Sequence, residues 1–90
     1  HWNYGTGQPG GTIGLQLSSG NILYGPFEVT TEPGWYGTVP NAFWVVDKSS
    51  DPLLLPAGTY TIFDSDTESW SQNEGSGGRG MCEVWGVIIQ

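Results

Sequence analysis

Hydrophobic positions in this chain recur at every second residue, in short runs cut by turn residues. TIGLQL places Ile13, Leu15 and Leu17 on one face. SSGN then reads as a turn and NILY as a returning strand, so the pair predicts a hairpin. GPFEVTT predicts a third strand with Phe27 and Val29 on one face. EPGWYGTVPN, punctuated by prolines and glycines, predicts a loop. AFWVVD predicts a strand, with Phe43 and Val45 leaning to the core. KSSDPLLLPAG predicts a long connection, TYTIFDS a strand, DSDTESWSQNEGSGGRG a loop and MCEVWGVII the last strand. No window carries a helical period. This order predicts an all-β chain of one domain, residues 1–90, built as a small antiparallel β-sandwich, jelly-roll-like, with a small β-barrel as the alternative.

Charge narrows the partners. Lys48 and Arg79 face nine carboxylates, for a net charge of -7. Phosphate neutralisation needs a basic patch, which two cations cannot build, so nucleic acid is excluded as a partner. An anionic membrane surface is disfavoured for the same reason, and no apolar run reaches the length of a membrane span. The lone Cys82 rules out an internal disulfide. No leader pattern is present, so the chain is expected to be a mature or excised domain. His1 is the only histidine and carries no weight in this reading. Without an anchored base, a Ser–His or Cys–His nucleophile is not expected, and a phosphate-cradling glycine loop with its lysine is absent. The domain is therefore not expected to be an enzyme.

The acidic loop invites a metal. Asp64, Asp66 and Glu68 are spaced like the start of a calcium loop, but the sixth position is Ser69 and the twelfth is Gly75. An EF-hand is excluded. Two readings stay open: a turn whose Asp side chains bind nearby backbone amides, or a looser calcium site on Asp64 and Asp66 with Asn73. No cofactor is required, and a structural calcium ion is the one this loop would accept. Arg79 is expected to pair with Asp64 or Asp66.

Aromatic residues supply the candidate chemistry. Five tryptophans, four tyrosines and three phenylalanines stand beside fifteen glycines, with only 12% charged residues. Trp35 and Tyr36 lie in PGWYG, where flanking turn residues place them at the surface. Trp70 sits in the acidic loop, either displayed or packed beneath it. In the last strand, Cys82, Val84 and Ile88 share one face, and Glu83 shares the other with Trp85 and Ile89. A carboxylate is rarely buried unpaired, which turns Trp85 outward; the alternative buries Trp85 and leaves Glu83 at an edge. Sugar rings pair an apolar C–H face with a rim of hydroxyls, which suits exposed Trp and Tyr beside Gln72, Asn73 and Glu74.

This short, weakly charged, aromatic-displaying β chain resembles a bacterial carbohydrate-binding module of the kind attached to cellulases. The segment LPAGTYTIFDSDTESWSQNEGSGGRG also resembles a pattern of secreted bacterial β domains. The resemblance implies a secreted, non-catalytic module, tethered to a glycoside hydrolase catalytic domain. Its implied ligand is a neutral β-linked glucan: cellulose chains, xyloglucan or mixed-linkage β-glucan. The expected contacts are Trp35, Tyr36, Trp70, Trp85, Gln72, Asn73 and Glu74. The alternative is a structural, adhesive or protein-interaction β domain of a secreted bacterial protein, using the same aromatics.

Overall fold

Alternating Ile13, Leu15 and Leu17 build the central strand of the larger sheet. The structure, a computed structural model, describes residues 1–72 and 74–88. Its strands are β1 (Thr12–Leu17), β2 (Ile22–Glu28), β3 (Thr30–Gly34), β4 (Val39–Val45) and β5 (Tyr60–Asp64). One sheet has the order β2-β1-β5 and the other is the β3-β4 pair, all antiparallel. The all-β, antiparallel, two-sheet architecture expected from the alternation is met.

Register sets the faces. Ile13, Leu15 and Leu17 lie opposite Phe27, Tyr24 and Ile22 on β2 and opposite Asp64, Ile62 and Tyr60 on β5. Directly opposed residues point to the same side of a sheet. That side is crossed by the connection between β4 and β5. The Lys48 ammonium sits 4.7 Å from the centre of the Phe27 ring, and the Tyr60 hydroxyl donates to the Pro56 carbonyl. Leu17, Val39 and Ala42 are the buried apolar residues among those described. The core is small: the chain exposes 6864 Å², against about 5,100 Å² for a typical folded monomer of its mass.

Three boundaries differ from the sequence reading. GPFEVTT is not one strand: Gly25–Glu28 closes β2, and Thr30 opens β3. EPGWYGTVPN is not a loop, since all but residues 35–38 belongs to β3 and β4. Pro33 and Pro40 sit inside these strands although proline signals a break in sequence. In a two-stranded sheet each strand has a free edge, where a missing N–H costs no ladder bond. Residues 81–88 form no strand and are exposed throughout. The expected alternation is there, but a strand is held by a neighbour's ladder bonds, and the backbone tie in this segment is Met81 N–H to the Ser71 carbonyl at 3.0 Å. Phe43 is also exposed rather than core.

The β3–β4 connection is a left-handed turn, with φ of 50° at Trp35, 58° at Tyr36 and 81° at Gly37. A Cβ at Gly37 would meet nothing within 4 Å, so alanine there meets backbone strain alone. Gly37→Ala should destabilise by about 1 kcal/mol, a drop of roughly 4–8 °C in thermal melting. An unchanged melt would mean the turn does not hold this conformation.

Candidate functional site

Two turns of the same design carry the two exposed tyrosines, Tyr4 and Tyr36. Asn3-Tyr4-Gly5 has φ of 44°, 56° and 84°, matching the three consecutive positive values at residues 35–37. Gly5 N–H donates to the Trp2 carbonyl, as Gly37 N–H does to Gly34. Thr6 N–H and Oγ1 both donate to the Asn3 carbonyl, as Thr38 N–H and Oγ1 do to Trp35. The threonine bond is 2.6 Å in each. The sequence holds the signal as NYGT and WYGT, although no internal repeat is expected from the sequence. Left-handed backbone costs an L-residue about 1 kcal/mol or more, so bulky rings are uncommon there. Tyr4 and Tyr36 are 95% and 108% exposed, so no packing repays that cost.

The two turns lead to one aromatic corner: Trp2 precedes the first turn and Trp35 opens the second. Trp2 meets Trp35 edge-on, with centroids 5.0 Å apart and planes at 68°. Trp35 lies parallel to Phe43, at 6.2 Å and 6°. All three rings remain partly exposed. Phe43 pairs with Glu32 across β3 and β4, which sets a carboxylate on the same face. Trp35 and Tyr36 were expected at the surface and stand together here. Trp2, Tyr4 and Phe43 were not assigned to the site.

The remaining sequence candidates lie elsewhere. Trp70 is half-buried, and a Cβ on Gly80 would come within 2.5 Å of its ring. Trp70 therefore packs under the glycine-rich stretch, although the adjacent Ser69 carbonyl accepts from Trp2 N–H at 3.0 Å. Gln72 and Glu74 are exposed in the loop. Trp85 is 87% exposed, on a segment with no ring contact to the corner among the described residues. Asn73 and Ile89 lie outside the described residues.

His1, given no weight from sequence, ties the two sheets together. Its ring stacks on Trp44 of β4 at 3.8 Å and 21°. Nε2 pairs with Asp64 Oδ2 at 2.6 Å, and Nδ1 with Ser69 Oγ at 2.6 Å. Its backbone nitrogen donates to the Ala42 carbonyl, while Trp44 Nε1 donates to Gln8 at 2.9 Å. Asp64, His1 and Ser69 have the composition of a hydrolase relay, so the expectation that no base is anchored was wrong. The His1 side chain is only 4% exposed and Ser69 is buried, and through them the cluster ties β4 to the end of β5 and to the acidic loop.

The same tie occupies Asp64, one of the two carboxylates expected to bind calcium. Asp64 Oδ1 accepts from Asp66 N–H at 2.8 Å, the backbone-binding turn that was the first of the two readings. Burial pushes the Asp64 carboxyl above its usual range, and the Asp66 charge adds to this, while the Asp66 N–H works against it. Among the described residues, no group of three or more His, Cys, Asp or Glu is placed to hold a metal ion. Arg79 makes no ion pair among the described residues, so His1 staples the acidic loop in its place.

A depression of about 360 Å³ lies on the opposite face of the larger sheet, over Gly14 and between Leu23, Pro26 and Phe63. Among the described residues, no helix is long and apolar enough to cross a membrane. No family model, curated protein or solved structure matches the chain.

Proposed function

We propose that this domain is a non-catalytic module that binds a neutral β-linked glucan, in a secreted protein where it is tethered to a glycoside hydrolase domain. The exposed corner of Trp2, Trp35 and Phe43, flanked by Tyr4 and Tyr36, carries the reading. Ring faces bury sugar C–H groups, and Glu32 stands on the Phe43 face to accept from hydroxyls. Burying one sugar ring contributes about 1–2 kcal/mol net of ordering costs. Two or three such contacts give affinities of roughly millimolar to micromolar. Tethering to an enzyme raises local concentration enough to make such binding useful. A chain of net charge -7 repels acidic glycans, which favours a neutral polymer.

Native affinity electrophoresis tests this directly. Xyloglucan, mixed-linkage β-glucan or hydroxyethylcellulose in the gel should retard the domain, and xylan or an uncharged control gel should not. If no soluble glucan retards it and crystalline cellulose does not pull it down, the reading fails.

Structural calcium at Asp64 and Asp66 would have to displace His1 and the Asp66 N–H from Asp64. Chelation should therefore leave the melting temperature unchanged. A lower melt after chelation, restored by calcium, would establish the ion.

One observation favours a protein-binding role instead. Val84, Trp85, Val87 and Ile88 are all strongly exposed on a segment with strand-like alternation. Such a segment can add to a partner's sheet edge. Under that reading Trp85→Ala would lose a protein partner while the domain stays folded.

A further inference from the structure

We infer that the Asn3–Gly5 and Trp35–Gly37 turns are paired subsites on a bent surface, made for one isolated, curved glucan chain rather than for a flat crystal face. This deepens the glucan reading and rests on it. Three observations carry it.

The first is the repetition itself. NYGT and WYGT adopt the same left-handed turn, with the same pair of backbone bonds and the same threonine lock on the carbonyl of the turn's first residue. One such turn is an accident of a hairpin. Two, in unrelated segments 32 positions apart in the sequence, both carrying an exposed tyrosine at the middle position, present the same chemical group twice. A polymer of identical units is the ligand that can use the same group twice.

The second is the strain. Tyr4 and Tyr36 hold φ of 56° and 58°, and neither ring is packed against the fold. Asparagine or glycine would occupy these positions at lower cost. The threonine locks hold both turns in this strained form, and strain of this kind clusters at ligand-binding sites.

The third is the angle. Trp2 is turned 68° from Trp35, whereas Trp35 and Phe43 lie within 6° of parallel. A crystal face offers sugar rings in one plane and would lose the Trp2 face. A single chain that twists from unit to unit can meet both orientations. The two turns are joined at this corner: Trp2 immediately precedes the first turn, and Trp35 opens the second.

The test compares wild type, Tyr4→Asn, Tyr36→Asn and the double variant on soluble xyloglucan, soluble hydroxyethylcellulose and crystalline cellulose. Melting temperatures should stay level or rise, since asparagine relieves the turns. The expected result is binding to the soluble chains with little uptake by the crystal. Each single variant should weaken soluble binding by a similar factor, about five- to thirtyfold, and the double variant by more than either. Equal or tighter uptake by crystalline cellulose would overturn the inference and leave the glucan reading standing. So would loss confined to Tyr36→Asn, with Tyr4→Asn unchanged. No binding of wild type to any of the three polymers would overturn both.

Discussion

Asp64→Ala should be the most destabilising single carboxylate change in this domain, lowering the melting temperature by on the order of 10–20 °C. Its two oxygens serve different elements. Oδ2 holds His1 Nε2 at 2.6 Å, and Oδ1 holds the Asp66 amide at 2.8 Å. Through His1 the carboxylate reaches Trp44 and the Ala42 carbonyl on β4, and Ser69 in the acidic loop. Alanine leaves a buried ring nitrogen and a turn amide without partners. Orphaning such groups costs about 2–4 kcal/mol, a large share of the stability a domain with so small a core can hold. Glu68→Ala, at an exposed position of the same loop, is the control and should change the melt little. If Asp64→Ala melts with wild type, His1 does not join the sheets.

Asp64→Asn separates the charge from the hydrogen bonds. Burial raises the Asp64 carboxyl in the folded state, so between its ordinary value, about 3.9, and the raised value the folded chain binds more protons than the unfolded chain. Stability then falls as pH rises through that window. The asparagine variant has no such proton. Wild type should therefore gain on Asp64→Asn as the pH is lowered through the window and lose ground as it is raised. Thermal melts of both proteins across that range, referred to each other, cancel the other carboxylates. A difference that moves the opposite way would mean that the ionised form of Asp64 is the favoured one in the fold, with His1 outweighing burial.

The sequence made the fold class legible because alternation is local. Ile13, Leu15 and Leu17 needed only a period of two to be placed on one face, and SSGN only its turn chemistry. Strand limits were less legible, because Pro33 and Pro40 signal a break whether or not an edge tolerates them. The site was half legible. PGWYG announced an exposed ring pair, but Trp2 joins it through a backbone bond to Ser69, 67 positions away in the sequence. Nothing in local composition encodes that closure. His1 was missed for a related reason: its partners Ala42, Trp44, Asp64 and Ser69 come from two strands and a loop that meet only in three dimensions. The NYGT and WYGT pair was readable from the start. At four residues it falls far below the length of a structural repeat, and only the shared positive φ values give it meaning.

Trp35→Asn should abolish glucan retardation while leaving the domain folded. Trp35 is the ring common to both aromatic contacts, edge-on to Trp2 and parallel to Phe43, so its loss dismantles the corner. Two opposed terms set the stability. Losing partly exposed ring packing costs about 1 kcal/mol. Relieving a tryptophan held at φ of 50° returns a similar amount, because asparagine tolerates this backbone about 1 kcal/mol better. The melt should stay within a few degrees of wild type. Binding has no such compensation. Removing a central ring that stacks on sugar loses about 2 kcal/mol of affinity, roughly thirtyfold, which takes a weak binder out of the range that electrophoresis detects. Trp70→Ala gives the contrast: Trp70 packs against Gly80 beneath the loop, so its removal should lower the melt while the folded fraction still binds. Retained retardation in Trp35→Asn, or its loss in Trp70→Ala alone, would move the binding surface away from the β3–β4 turn and onto the acidic loop.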